Sequence, residues 1–102
     1  MKIGLYAGSF DPITLGHQQT IKTAAALFDQ LVIAVGVNSQ KKSLFKPEDR
    51  IAFIKHATAE LTNIKIKTYE GMTVDVAKDT QATYLVRGIR NTRDAQLELH
   101  CL

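Results

Sequence analysis

Residues 3–17 of this chain read IGLYAGSFDPITLGH, and this stretch decides the fold. An apolar run ends at a glycine-rich turn that carries hydroxyl side chains, and a histidine follows where a helical pattern begins. A strand that feeds such a turn directs unpaired backbone N–H groups and the positive end of a helix at whatever lies above it, which suits a phosphate. His17 adds a side-chain donor at the same place. The stretch therefore favours a nucleotide-binding enzyme.

Length and composition predict one small folded domain, residues 1–102. Hydrophobic residues make up 45% and charged residues 23%, which is typical of a globular chain. A net charge of +3 and 7% aromatic residues argue against a nucleic-acid-binding module. Cys101 is the one cysteine, so no intrachain disulfide forms, and no apolar run has the length of a signal peptide or a membrane span. We expect a cytoplasmic protein that binds neither membrane nor nucleic acid.

The apolar spacing alternates between strand and helix along the chain. Strands are predicted at residues 2–6, 31–37, 64–69 and 83–86, and helices at residues 18–28, from 47, at 74–79 and from 91 to the end. Right-handed crossovers turn this order into an α/β fold with a Rossmann-like, doubly wound parallel sheet. The first strand is expected at the point where the strand order reverses, and ligands bind there beyond the carboxyl ends of the strands.

Polar residues follow each predicted strand at that edge. Ser9–His17 follow the first strand, Lys41 and Lys42 the second, Thr73 the third and Arg87–Arg90 the fourth. Arginine matches phosphate oxygens in a bidentate way, and the glycine between the two arginines allows close approach of the backbone. Each group also has an ordinary explanation, such as turn hydroxyls, a capping histidine or solvated lysines. The convergence of four loops favours a binding site over those explanations.

A known family shares these motifs. The turn at residues 8–17, GSFDPITLGH, resembles the nucleotidyltransferase signature G-[ST]-F-D-P-x-[TH]-x-G-H. Cytidylyltransferases and nicotinamide-type adenylyltransferases usually have histidine at the position of Thr14, and threonine there resembles phosphopantetheine adenylyltransferase. KK before LF at residues 41–45, EGMTVD at 70–75, and RGIR at 87–90 with Asp94 and Glu98 follow that family's order and spacing. The resemblance covers essentially the whole chain.

The resemblance implies adenylyl transfer from ATP to 4′-phosphopantetheine in coenzyme A biosynthesis, giving dephospho-coenzyme A and pyrophosphate. Magnesium would accompany the triphosphate. The implied catalytic residues are His17, Lys41 and Arg90. The residues implied to bind ATP are Ser9, Phe10, His17, Gly88, Ile89, Arg90 and Glu98. Those implied to bind phosphopantetheine are Ser9, Lys41, Thr73 and Arg87.

The chain also departs from the family pattern. Members continue past the equivalent of Leu102 with a fifth strand and an Ile-Ser-Ser-[ST] helix start that grips the ATP phosphates, and neither is present in this sequence. We therefore expect a C-terminally shortened, homo-oligomeric member in which the fourth strand is an exposed sheet edge that pairs with another chain. Two alternatives stay open: a non-catalytic remnant that binds nucleotide or phosphopantetheine, and a nucleotidyltransferase with another acceptor.

Overall fold

The computed structural model describes residues 1–37, 43–89 and 96–102. The elements in these ranges are β1 (Ile3–Gly8), α1 (Leu15–Leu27), β2 (Gln30–Gly36), α2 (Pro47–Ala57), β3 (Ile64–Tyr69), α3 (Thr73–Thr80), β4 (Tyr84–Ile89) and β5 (Gln96–Cys101). None of the helices in these ranges is long and apolar enough to cross a membrane.

The strands form one sheet in the order β3-β2-β1-β4-β5. The neighbours β3 and β2, β2 and β1, and β1 and β4 are parallel, and β5 is antiparallel to β4. The chain builds outward from β1 through β2 to β3 and then crosses to β4 on the other side of β1. The predicted Rossmann-like sheet, with the first strand where the order reverses, is confirmed.

Helices cover both faces of the central strands. On one face, α1 and α2 enclose a cluster that includes Ile21, Phe28, Ile33 and Ile54. On the other face, α3 packs over a cluster formed largely by β1 and β2, in which Val76 is buried. Because β1 and β2 are covered on both faces, their sequences are apolar almost throughout, as is typical of central parallel strands.

The start of α2 follows the sequence prediction closely. Pro47 occupies the beginning of the helix, and Glu48 and Asp49 lie in its first turn. Proline fits there because the first helical residues lack an N–H partner inside the helix, and acidic groups interact favourably with the positive dipole end.

The prediction for the C-terminal segment is wrong. Residues 96–101 form β5 rather than a helix, paired with β4 from Tyr84↔Cys101 to Ile89↔Gln96. In the strand, Leu97 packs against the core, while Glu98 and His100 are exposed on the other face. The edge of β4 offers backbone groups that a strand satisfies and a helix does not. Residues 90–95 lie outside the described part of the chain.

This strand changes two expectations. Glu98 lies on a strand instead of a helix, and β5 covers β4, so the predicted association through a bare β4 edge is wrong. The edges of the described sheet are β3, as the alternation of residues 64–69 predicts, and β5. On β3, Lys65 is exposed, and lysine on an edge strand discourages pairing with another chain.

Candidate active site

The pairing between β1 and β4 stops short of the carboxyl edge of the sheet. β1 and β2 pair along the whole of β1, from Ile3 to Gly8. In contrast, β1 and β4 pair only at Gly4↔Tyr84 and Leu5↔Leu85, although both described strands continue beyond these residues. The pairing of β1 with β4 therefore ends before the carboxyl ends of the two strands, where the strand order reverses. Open α/β sheets bind their ligands at such a place.

The turn after β1 is anchored by a buried aromatic ring. Phe10 is 1% exposed, and its φ of 46° lies in the left-handed region that bulky residues rarely adopt. Its ring meets Tyr6 edge-on at a centroid distance of 5.2 Å and His17 at 4.9 Å. Ser9, just before it, is exposed. The buried ring thus fixes a turn whose preceding residue faces solvent, and it supports one side of the His17 ring.

His17 lies in the first turn of α1 and takes part in its cap. The Thr14 hydroxyl accepts the His17 N–H at 3.3 Å, and the Thr14 N–H donates to Nδ1 of His17 at 3.0 Å. Because an amide N–H can only donate, Nδ1 acts as an acceptor, and the neutral ring carries its proton on Nε2. The first turn of α1 contains no acidic residue. The cap therefore holds a ring N–H donor beside the positive end of a helix.

Two charged residues that the sequence marks only weakly bind backbone at this edge. The carboxylate of Asp11 accepts the N–H of Leu44 at 2.7 Å and of Phe45 at 2.8 Å. Arg50 of α2 is 3% exposed, and its Nη1 donates to the carbonyls of Ser9 at 2.8 Å and Gly36 at 3.1 Å. Neither residue was predicted to have a role, although Asp11 belongs to the signature at residues 8–17. For Arg50 the available signal is its position four residues before the buried Ile54, inside the apolar stripe of α2.

Gly88 lies where β4 passes close to α1. A Cβ atom at this position would lie 3.0 Å from Oγ1 of Thr20 and 3.4 Å from Oη of Tyr6. Burial raises the pKa of the Tyr6 phenol, and a hydrogen bond with Thr20 offsets part of that rise. The sequence prediction assigned Gly88 to the approach of a ligand. In the structure, the close approach at this residue is to the α1 helix.

The remaining predicted residues belong to α3, β4 and β5 or lie outside the described part of the chain. Thr73 is the half-buried first residue of α3. Arg87 is exposed on β4 opposite Glu98 of β5, and Glu98 is 3.1 Å from Nε2 of His100. β5 lies on the far side of β4 from β1, so Glu98 is carried by a strand that does not pair with β1. Ile89 ends β4, whereas Lys41 and Arg90 lie outside the described residues.

Comparison with known proteins identifies the family. The sequence model of the family described as cytidylyltransferase-like matches residues 5–100. The chain belongs to the cytidylyltransferase-like family. It is also similar to the phosphopantetheine adenylyltransferases of Limosilactobacillus reuteri (strain DSM 20016), with 51% identity, and Christiangramia forsetii, with 44% identity, each over 96% of this chain. The resemblance to phosphopantetheine adenylyltransferases that the motifs predict is confirmed.

The matched relatives are longer than this cytidylyltransferase-like chain, which spans 57% of the L. reuteri protein and 65% of the C. forsetii protein. Solved structures agree on the fold. The lipopolysaccharide core biosynthesis protein from Thermoplasma volcanium superimposes with a TM-score of 0.68 at 24% identity, covering 92% of this chain and 80% of that one. The Plasmodium falciparum nicotinic acid mononucleotide adenylyltransferase does so with a TM-score of 0.61 at 22% identity, covering 78% and 45%.

The side chains of this cytidylyltransferase-like site suit a metal ion that is bound mainly by the phosphates of a substrate. Within residues 1–37, 43–89 and 96–102, no group of three or more His, Cys, Asp or Glu side chains could hold a metal ion. Both carboxylate oxygens of Asp11, in the turn itself, already accept backbone N–H groups. Mg²⁺ is commonly bound by one or two carboxylates together with substrate phosphates and water. The described residues therefore fit Mg²⁺ held mainly by a triphosphate.

Proposed function

We propose that this chain transfers the adenylyl group of ATP to 4′-phosphopantetheine, giving dephospho-coenzyme A and pyrophosphate. The observation that carries the proposal is the capped His17 at the start of α1, at the edge of the sheet where the pairing of β1 with β4 ends. A ring N–H donor and a helix N-terminus at the switch point of the sheet together suit a polyphosphate. The similarity to phosphopantetheine adenylyltransferases over 96% of the chain supports the choice of acceptor.

The reaction needs alignment and charge stabilisation more than acid–base chemistry. An oxygen of the phosphopantetheine phosphate attacks the α-phosphorus of ATP in line, a new P–O bond forms, and the bond to the β-phosphate oxygen breaks. The electron pair of that bond leaves with pyrophosphate. Because the attacking phosphate is already ionised at neutral pH, no residue has to remove a proton. Catalysis of this type rests on positioning and electrostatic stabilisation.

His17 is the proposed source of that stabilisation among the described residues. Its Nε2–H donates to a phosphoryl oxygen whose negative charge grows in the transition state, and the Thr14 N–H keeps the ring in the required tautomer. Ser9 contacts both substrates, and the backbone of Phe10 binds ATP. The buried Phe10 ring holds that backbone in place. The start of α1 adds partial positive charge at the same point.

The other roles follow the resemblance. Lys41 and Arg90 complete the proposed catalytic set as cations that offset the repulsion between the two anionic substrates. Thr73 and Arg87 line the proposed pantetheine site. The proposed ATP-binding segment continues through Gly88 and Ile89 at the end of β4, and Glu98 is the proposed contact on the ribose or base side. When bound, Mg²⁺ neutralises part of the triphosphate charge.

A homo-oligomeric assembly and a cytoplasmic location belong to the same proposal, and the resemblance is what supports them. Sedimentation velocity at micromolar concentration measures the assembly directly. A species with the mass of one chain, 11.3 kDa, would contradict the oligomeric part of the proposal.

The proposed function is tested by pyrophosphate release from ATP and Mg²⁺ in the presence of 4′-phosphopantetheine, with intact-mass measurement of the chain. Omission of phosphopantetheine is the blank, and CTP in place of ATP tests the nucleotide. Other phosphate monoesters in place of phosphopantetheine test the acceptor. Release that needs both ATP and phosphopantetheine supports the proposal, whereas faster release with CTP or with another acceptor assigns a different nucleotidyltransferase reaction.

A second candidate function is nucleotide or phosphopantetheine binding without turnover. The observation that favours it is β5, which places Glu98 on a strand opposite Arg87 instead of on the predicted helix. A chain with its Glu98 contact displaced would keep the phosphate-binding turn and lose part of the nucleoside site. Calorimetric binding of ATP without pyrophosphate release would establish this alternative, and release at a rate dependent on both substrates would exclude it.

A further inference from the structure

We propose that Asp11 and Arg50 are positioning residues that fasten both ends of the segment between β2 and α2 to the turn at Ser9. The segment is residues 37–46, and it includes Lys41 in the sequence. The inference rests on the proposed function in one respect, namely that this segment contributes to the binding of ATP or phosphopantetheine. The fastening itself is visible in the described residues on either side.

Asp11 fastens the end of the segment that leads into α2. Its two carboxylate oxygens accept the N–H groups of Leu44 and Phe45, at 2.7 and 2.8 Å, across more than thirty residues of chain. Hydrogen bonds to an ionised acceptor are shorter and stronger than those between neutral groups, and a bidentate pair also fixes orientation. The same bonds engage the Asp11 carboxylate, whose negative charge would otherwise face an anionic ligand. Asp11 therefore holds a backbone segment and is not itself required to touch a substrate.

Arg50 fastens the end of the segment that leaves β2. Nη1 donates to the carbonyl of Gly36, the last residue of β2, and to that of Ser9, just after β1. Its side chain has no carboxylate partner among the described residues, and its buried Nε has no hydrogen-bond partner there. Burying a cation whose charge is balanced only by carbonyl dipoles lowers the stability of the folded state, because the cation loses its hydration. Such a group is consistent with a site that receives an anion, because its field favours negative charge nearby.

The two residues act at complementary points. Arg50 ties Ser9 to the beginning of the segment, and Asp11 ties the adjoining turn to its end. All four bonds are made to main-chain atoms, so they hold the backbone of Ser9, Gly36, Leu44 and Phe45 whatever side chains these residues carry. We infer that the brace of Asp11 and Arg50 sets the distance between the His17 turn and residues 43–46.

The test compares Asp11→Asn with Asp29→Asn in the full chain. Asp29 is a matched control because its carboxylate also accepts a backbone N–H, from Lys2 at 2.6 Å, at the opposite edge of the sheet. In Asp11→Asn one amide oxygen keeps one bond, while the NH₂ group faces an N–H donor. We expect exchange of the Leu44 and Phe45 amides, followed by NMR, to become about tenfold faster in Asp11→Asn. The control should leave that exchange within about twofold of wild type.

The affinity for ATP tests whether the two residues also affect ligand binding. Calorimetry with ATP and Mg²⁺ should show about tenfold weaker binding for Asp11→Asn and wild-type binding for Asp29→Asn. Arg50→Lys keeps the charge and Arg50→Met removes it, so lysine should retain more affinity than methionine even if both lower the melting temperature equally. A purely structural arginine would give the same affinity in both variants.

Three results would overturn the positioning assignment. One is unchanged exchange of Leu44 and Phe45 in Asp11→Asn, another is equal loss of ATP affinity in Asp11→Asn and Asp29→Asn, and the third is equal affinity in Arg50→Lys and Arg50→Met. A wild-type chain that binds neither ATP nor phosphopantetheine would overturn the proposed function. In that case, faster exchange in Asp11→Asn alone would still support the brace.

Discussion

Gly88 of β4 lies over the side chains of α1, and a Gly88→Ala substitution measures how tightly the two elements fit. The added Cβ would lie 3.0 Å from Oγ1 of Thr20 and 3.4 Å from Oη of Tyr6. Thr20 is held in place because its hydroxyl donates to the carbonyl of Gly16 at 3.0 Å. The φ of Gly88 is not in the positive region, so its backbone accommodates alanine and only the contact opposes it.

The expected change in the free energy of unfolding of Gly88→Ala follows from two opposing effects. Alanine in the interior of a strand is favoured over glycine by about 0.5–1 kcal/mol, since glycine loses more backbone entropy on folding. Gly88 is exposed, but Thr20 is buried, and extra volume pressed against a packed side chain costs about 1–3 kcal/mol. We therefore expect Gly88→Ala to lower the free energy of unfolding by up to about 2.5 kcal/mol. For a domain of this size that corresponds to a fall in melting temperature of up to roughly 20 °C.

The assay is urea denaturation of four chains: wild type, Gly88→Ala, Thr20→Ala and the double variant. Thr20→Ala alone should cost about 1 kcal/mol, because it removes the bond to Gly16. In that background the obstructing oxygen is gone, so Gly88→Ala should be neutral or stabilise by up to about 1 kcal/mol. An equal cost of Gly88→Ala in both backgrounds, or a gain in the wild-type background, would refute the packing argument. The ligand approach predicted from sequence would then be the better explanation of this glycine.

Three further predictions concern the site and the sheet edge. His17→Ala should lower the rate of pyrophosphate release about 100- to 1,000-fold in a steady-state assay. In urea denaturation it should change the free energy of unfolding by less than about 1 kcal/mol. Unchanged turnover would remove His17 from the catalytic set. Leu97→Asp should detach β5 and cause concentration-dependent association in sedimentation velocity, because it places a charge on the side of β5 that packs on the core. His100→Gln, on the exposed face, should not associate in this way. Burial raises the pKa of Tyr6, so the unfolded chain loses this proton first and stability falls as pH rises above 10.0; Tyr6→Phe should show a smaller drop in urea midpoint between about pH 9 and pH 11.

The sequence predicts the elements whose periodicity is unambiguous and fails where two periods compete. In residues 95–102, Ala95, Leu99 and Leu102 fit one side of a helix, while Leu97, Leu99 and Cys101 fit one face of a strand. Local spacing favours neither pattern decisively. The strand forms because β4 would otherwise present an apolar edge with unpaired backbone groups. Pairing with β5, in which Val86 lies opposite Leu99, gives these groups hydrogen-bond partners. That decision depends on sheet topology, which no local window of sequence contains.

The candidate site was predictable to the extent that side-chain chemistry defines it. His17 and its turn are conspicuous in the sequence, because a histidine after a glycine-rich turn is an unusual combination. Asp11 belongs to the same signature, but the roles of Asp11 and Arg50 were not predictable because both bind main-chain atoms and have no complementary side chain. These atoms belong to Leu44, Phe45, Ser9 and Gly36. Burial of Arg50 distinguishes it from a solvated arginine only once the fold is known.

The use of backbone groups has a consequence for how such a site changes its ligand. An ion pair between two side chains constrains both residues, whereas a bond from Asp11 to the N–H of Leu44 or Phe45 constrains only one. Substitutions at Leu44, which is 79% exposed, therefore leave the brace intact while they alter the surface of the segment. The surface near Leu44 can then change while the backbone of Leu44 and Phe45 stays bound to the turn that carries Asp11. Because function resides in sites carried by a shared fold, a backbone held in this way lets side chains vary without a change of fold.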